Sequence, residues 1–404
     1  MHIGFVTSEY PTTKKPEGGL GTYIRKVGLE LIQRGHVVTV FILSSKQHLG
    51  VDQGIRLHFI KRMKFHWRFH QITALHHWLD LEEQRINARR LKNAVLARNK
   101  QEHIDILQTP NYKALGSYLN HNKFFPIVCR CSSYQPLWRS ANGYRRKFTD
   151  IIFDWLEAKQ VIEADAAISP SEFIAQTYQR FEAIKPTVVR TPVDLNSISQ
   201  DISIYSNYME GKKYLLYFGT LNGVKGVDVL IHAIPSILST NDELSVVLIG
   251  RDDPLPDGIK AGKMLQTHCE KYFEENRVIY LPPLPKSQLY PIIEHALCVI
   301  MPSRVDNYPN ACLEALALGI PVIGTYDSSL DEIIEDGKTG FLAKNDDLTS
   351  LKEAINHLLR QSSQERADMI GNIHQKVCEI RKEDRTGALI RFYQEIVAKY
   401  RKNP

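Results

Sequence analysis

Apolar residues in this chain fall into short continuous runs, separated by longer stretches in which they recur at helical spacing. The runs at 3–8, 37–43, 105–108, 126–130 and 165–169 predict strands, and the amphipathic stretches between them predict helices. After Val188-Val-Arg-Thr-Pro-Val-Asp194 a polar, Ser/Asn-rich stretch continues to Lys213. The same rhythm then restarts at 214–218, 245–250, 278–281, 297–301 and 321–324. Strands alternating with helices form parallel sheets with right-handed crossovers, and such sheets bind ligands beyond the carboxyl ends of their strands. The pattern therefore predicts two α/β domains, 1–195 and 196–385, each a doubly wound sheet, facing each other across a central cleft. In 386–404, Leu389, Phe392, Tyr393, Ile396, Val397 and Tyr400 share one helical face that needs a partner, and the N-terminal domain is the expected one.

A chain of 404 residues agrees with two cores, since a single core stops growing at roughly 250–300 residues. No apolar run approaches the ~20 residues of a membrane span, and Met1–Ser8 reads as a first strand rather than a leader. The expected location is the cytoplasm. The 6 cysteines lack metal-ligand or disulfide spacing and read as reduced thiols. Residues 51–100 hold 11 Lys/Arg against 4 Asp/Glu, within a net charge of +6. There, Ile60–His70 mixes cations with aromatics, which suits a solvated surface, an acceptor contact, or peripheral contact with anionic lipid at the inner face of a membrane. No nucleic-acid motif accompanies it, so nucleic acid is not an expected partner.

Three motifs carry chemistry. Glu17-Gly18-Gly19-Leu20-Gly21 opens a helix, where unpaired amides and the helix dipole favour an anion. The spacing is wrong for a dinucleotide fingerprint. In Gly219-Thr220-Leu-Asn-Gly-Val-Lys225-Gly226 a lysine stands among glycines at another helix start, within reach of a phosphate. In Asp306-Asn307-Tyr308-Pro309-Asn310-Ala-Cys-Leu-Glu314 two acids are separated by seven residues. Pro309 suits the helix start, Gly319 its end, and Glu314 lies among apolar neighbours. A carboxylate there needs hydrogen-bond donors, either ribose hydroxyls or a structural ion pair.

Taken together with Gly319-Ile-Pro-Val322, Leu248-Ile-Gly250 and Glu157, these motifs resemble family 4 of the retaining glycosyltransferases over nearly the whole chain. The resemblance implies the GT-B fold, with two Rossmann-like domains. It implies that Glu314 binds the nucleotide ribose and that Asp306, with the backbone of Asn307, Tyr308 and Asn310, holds sugar hydroxyls. It further implies that Lys225, with the Gly18, Gly19 and Gly219 backbone, holds the diphosphate. Lys225 and Asp306 are the expected catalytic residues. The donor is a nucleotide-diphosphate sugar, the acceptor a carbohydrate, a lipid-linked molecule or a small molecule. No Asp-x-Asp occurs, so no metal is expected.

The chain departs from the family in three places. Thr220 stands where an arginine usually supplies a second cation, with Arg251 and Arg304 as candidate replacements. The first domain reads Arg130-Cys-Ser132 where Arg-x-His is frequent, so Arg130 and Ser132 are assigned to the acceptor side and no catalytic histidine is expected. Asp306 replaces the commoner glutamate. A sugar-nucleotide-binding protein without catalysis, an epimerase and a hydrolase remain open on the same fold.

Overall fold

The computed structural model describes residues 1–11, 19–65, 73–192 and 199–402, with the backbone alone for 73–77. The first half contains β1 (His2–Thr7), α1 (Gly19–Gln33), β2 (Val37–Ser44), β3 (His48–Asp52), β4 (Ile55–Lys61), α2 (Thr73–Gln101) and β5 (Ile106–Pro110). It continues through β6 (Ile127–Arg130), α3 (Gln135–Ala141), α4 (Phe148–Glu163), β7 (Ala166–Ser169), α5 (Glu172–Glu182) and β8 (Thr187–Val188). Then follow α6 (Ser203–Tyr208), β9 (Lys213–Phe218), α7 (Val227–Leu238), β10 (Leu244–Ile249), α8 (Ala261–Glu274), β11 (Val278–Leu281), α9 (Lys286–Glu294) and β12 (Cys298–Ile300). The chain ends with α10 (Asn310–Ala317), β13 (Val322–Thr325), β14 (Gly340–Ala343), α11 (Leu348–Leu359), α12 (Ser363–Lys382) and α13 (Arg385–Lys402).

Two compact units result. The first takes the described residues of Met1–Pro136, Arg146–Pro192 and Asp384–Pro404, the second those of Leu137–Arg145 and Val193–Glu383. The expected boundary at 195/196 lies outside the described residues. A contiguous first domain was expected, yet residues 137–145 pack with the second unit. They are held there by contacts such as the Asn142 side chain accepting a hydrogen bond from the Val224 amide at 3.2 Å.

In unit 1 the sheet order is β3-β4-β2-β1-β5-β6-β7-β8, parallel except for the antiparallel β3/β4 pair. Ile3 and Phe5 of β1 face the core shared with α1, and Leu389, Tyr393 and Val397 of α13 complete it. The Tyr393 hydroxyl donates to Gln108 Oε1 at 2.6 Å, which anchors α13 to β5.

Unit 2 has the order β11-β10-β9-β12-β13-β14, all parallel. Alternation along β9 splits its side chains: Leu215 and Tyr217 join Leu230 and Ile234 of α7, while Leu216 and Phe218 join Cys312 and Leu316 of α10. Burying each such side chain contributes about 1.5–3 kcal/mol, which pins the helices to opposite faces. The strand order reverses between β9 and β12, the place where a doubly wound sheet leaves a ligand crevice at its carboxyl edge. Among the described residues no helix is long and apolar enough to cross a membrane.

Candidate active site

The loop after β9 approaches the loop after β12 through glycines. Gly226 has φ +62°, and a Cβ built on it would fall 1.8 Å from the Pro302 carbonyl oxygen. Gly250, at the end of β10, would likewise meet the Gly219 carbonyl at 1.6 Å. Only glycine permits these approaches. Between them, Asn222 caps a single turn, Gly223–Lys225, by accepting the Lys225 amide at 3.1 Å.

That turn delivers Lys225 to Asp306. Its Nζ lies 2.5 Å from Asp306 Oδ2, although the residues are 81 positions apart. Ser303 Oγ donates to the same oxygen at 3.2 Å, and the Asn307 amide donates to Oδ1 at 2.9 Å. The pair sits at the strand-order reversal, beside the amino end of α7. A cation there, a third exposed, can exchange one anion for another.

Arg304 organises the same loop. Its guanidinium donates to both carboxylate oxygens of Asp228, at 2.7 and 2.8 Å, and to the Gly223 carbonyl at 2.6 Å. Asp346 lies on its other side at 2.5 Å. Burial opposes the charge, but Asp228 and Asp346 raise its pKa well above the ordinary arginine value. Arg304 is thus a strut between the two loops. Arg251 is exposed and engaged with Asp253 at 2.9 and 3.0 Å. Both candidates to replace the family arginine are therefore held by carboxylates, and the Thr220 carbonyl accepts the Tyr217 hydroxyl at 2.7 Å.

Pro309 forms the N-cap of α10, and Gly319 closes its far end at φ +79°. Glu314, largely buried, pairs with Lys286 at 2.6 Å. Burial favours the neutral amine of Lys286, but the Glu314 charge more than offsets this and raises its pKa. Lys286 carries no sequence motif, so the partner of Glu314 was not readable from the chain. Asn310 is exposed at the start of α10. Tyr308 is buried at φ +61°, and its amide donates to Ser329 Oγ at 2.8 Å. The Asn307 and Tyr308 amides expected to meet sugar hydroxyls are thus engaged within the protein.

In unit 1, Gly18 lies outside the described residues, and Gly19 is the exposed first residue of α1. Glu9, which no motif marks, accepts the Leu20 and Gly21 amides, each at 3.1 Å. An anion using those two amides would have to displace this carboxylate. Arg130 was expected on the acceptor side, but it is only 4% exposed. Its guanidinium stacks 3.7 Å from the Tyr23 ring centroid and donates to Thr191 Oγ1 at 2.8 Å, so it braces the interior of the unit. Ser132 is partly buried, with its amide on Asn111 Oδ1 at 3.0 Å. Among the described residues, no three His, Cys, Asp or Glu side chains converge to hold a metal.

Comparisons with known proteins agree with this layout. Residues 17–197 match the model of Glycosyltransferase Family 4, and residues 201–376 match that of the Glycosyl transferases group 1. The D-inositol 3-phosphate glycosyltransferase of Corynebacterium urealyticum is 28% identical over 152 residues, covering 38% of this chain and 36% of that protein. Spore coat protein SA of Bacillus subtilis is 28% identical over 42% of this chain and 45% of its own length. The matched region thus spans less than half of these relatives. Sucrose-phosphate synthase from Thermosynechococcus elongatus shares the fold, with a TM-score of 0.77 at 17% identity over 98% of this chain and 99% of that one. With two family models running consecutively along it and both sheets doubly wound, the chain belongs to family 4 of the glycosyltransferases and has the GT-B fold.

Proposed function

We propose that the protein is a retaining hexosyltransferase that takes its sugar from a nucleotide diphosphate without a metal. The observation that carries this reading is the contact between Lys225 and Asp306, two motif residues meeting at the strand-order reversal of unit 2. The donor diphosphate displaces Asp306 from Lys225. Asp306 is then free to accept from sugar hydroxyls, and Glu314 accepts from the ribose while Lys286 holds its other oxygen.

In the reaction the bond from the anomeric carbon to the diphosphate oxygen breaks, and the electron pair leaves with the nucleoside diphosphate. Lys225 and the amino end of α7 stabilise that growing charge. The acceptor hydroxyl attacks the anomeric carbon from the same face of the sugar, and its proton passes to the departing phosphate oxygen. No protein base is required. Relatives named for D-inositol 3-phosphate make a phosphorylated polyol one acceptor to try. The basic stretch 60–70, of which 66–70 lie outside the described residues, is proposed as an auxiliary contact with anionic lipid.

Incubation with UDP-, GDP-, ADP- and TDP-sugars, with and without acceptors and chelator, tests the proposal. The expected result is acceptor-dependent release of nucleoside diphosphate, unaffected by chelator, with the anomeric configuration kept by NMR. Binding without release would assign a non-catalytic role. Release without a glycosylated product would assign a hydrolase, and an altered sugar still on its nucleotide an epimerase.

A further inference from the structure

Helix α4 is built inside out. Its buried positions include the polar residues Thr149, Glu157 and Gln160. Glu157 accepts the Lys113 amide and Gln160 the Gly116 amide, each at 2.7 Å, so the inner face grips the loop after β5. The outer face is apolar: Phe148 is 68% exposed, Ile151 46%, Trp155 57% and Ile162 57%. Their spacings of three, four and seven place them in one stripe. Every exposed position of this helix is one of these four residues. Trp78 of α2, itself exposed, extends the patch, its ring centroid 6.4 Å from that of Phe148. A helix facing only water would show the opposite pattern.

Beside the stripe, α2 and α4 enclose a groove of about 340 Å³ with an apolar floor that includes Phe153 and Leu156. Four permanent cations line it, Arg85, Lys92, Lys113 and Lys159, against the single carboxylate Glu163. Lys159 also lies 4.9 Å over the Trp155 ring, joining the basic groove to the apolar stripe.

We propose that this face of unit 1 docks on an anionic lipid surface. The α4 stripe enters the boundary between headgroups and acyl chains, and the α2–α4 groove receives a lipid phosphate. Aromatic side chains flanked by cations suit that boundary. A second copy fits less well, because a two-fold contact would set the cationic groove against itself or beside its mate. The proposal uses none of residues 60–70 and does not depend on glycosyl transfer, since binding needs no donor.

The test is sedimentation of the full chain with phosphatidylcholine vesicles, with and without phosphatidylglycerol, at low and high salt. Binding is expected only to the anionic vesicles, weakened by salt and accompanied by a blue shift of tryptophan emission. The Ile151→Ser/Trp155→Ser variant should bind at least about tenfold more weakly. Lys92→Glu/Lys159→Glu should lose roughly tenfold or more. Both should keep the native circular dichroism and melting temperature, which are measured alongside binding to show that the fold is intact. Trp155→Phe should bind normally but lose much of the blue shift, which locates the contact without relying on a disruptive change. Absence of binding to anionic vesicles overturns the proposal. So does binding undiminished in both double variants, which would move the contact elsewhere. Self-association of the native chain that the Ile151→Ser/Trp155→Ser change abolishes, without vesicle binding, would assign the face to a second copy.

Discussion

Arg304 grips Asp228 through two parallel hydrogen bonds, 2.7 and 2.8 Å long, and thereby joins the loop carrying Asp306 to the turn carrying Lys225. A lysine can supply the charge at this place but not the fork. Arg304→Lys is therefore expected to lower turnover by about tenfold, the scale of one misplaced stabilising group, with a smaller effect on melting temperature than Arg304→Ala. Steady-state rates and thermal unfolding of the two variants check this; equal rates in Arg304→Lys and the native protein would remove the strut.

Lys225→Ala should cost roughly 10²–10³-fold in turnover, as for loss of a well-placed electrostatic stabiliser. Because Asp306 loses its cation at the same time, Lys225→Ala/Asp306→Asn should cost less than the two single changes added together. Rates for the three variants close the cycle.

Thr220 leaves the proposed diphosphate site with one cation from this loop, since Arg251 and Arg304 are held by Asp253 and Asp228. Thr220→Arg should tighten nucleoside diphosphate binding by about tenfold, the value of one charge-assisted hydrogen bond. Calorimetric titration measures it. Unchanged affinity would mean that charge is not limiting at this position.

Asp52 accepts from Arg25 at 2.7 Å and from the Tyr10 hydroxyl at 2.9 Å. The Arg25 hydrogen bond holds its pKa below the ordinary carboxylate value, against the opposing effect of partial burial. A depressed folded-state pKa gives stability that is present above the unfolded value, about 3.9, and is lost as pH falls through the folded one. Asp52→Asn should therefore be less stable than the native protein at neutral pH, by a margin that shrinks below about pH 4. Urea unfolding at both pH values checks the sign.

Of the six cysteines, five are buried and Cys378 is exposed. Burial pushes the Cys269 thiol up to about 11 and the Cys298 thiol up to about 12. Iodoacetamide should label the native chain once, at Cys378, as read by peptide mass mapping, and the other five only after unfolding.

Much of this architecture could be read from the chain because burial writes a period into it. The fully apolar Tyr214–Phe218 run marks a strand packed on both faces, and the Leu389–Val397 spacing marks the helix that closes the first core. The Lys225 and Asp306 loops stood out because glycines and paired acids are costly unless used. Glu9 and Lys286 did not, since a single charge gains its meaning from a partner far along the chain. The burial of Arg130 was not readable for a related reason: it stacks on Tyr23 and bonds to Thr191, and neither partner is near in sequence. The exposed stripe on α4 has the periodicity of a core face, so only the fold reveals that it points outward.

Residues 137–145 give the second unit a strap borrowed from the first half of the chain. The Ala141 carbonyl oxygen would lie 2.8 Å from a Cβ on Gly223, and Asn142 holds the Val224 amide next to Lys225. The second unit is thus not a cassette. A chimaera joined near residue 195, trading first halves between relatives, would import a foreign strap against the lysine turn. Recombination of such halves leaves the lysine turn intact only if the strap travels with the turn it supports.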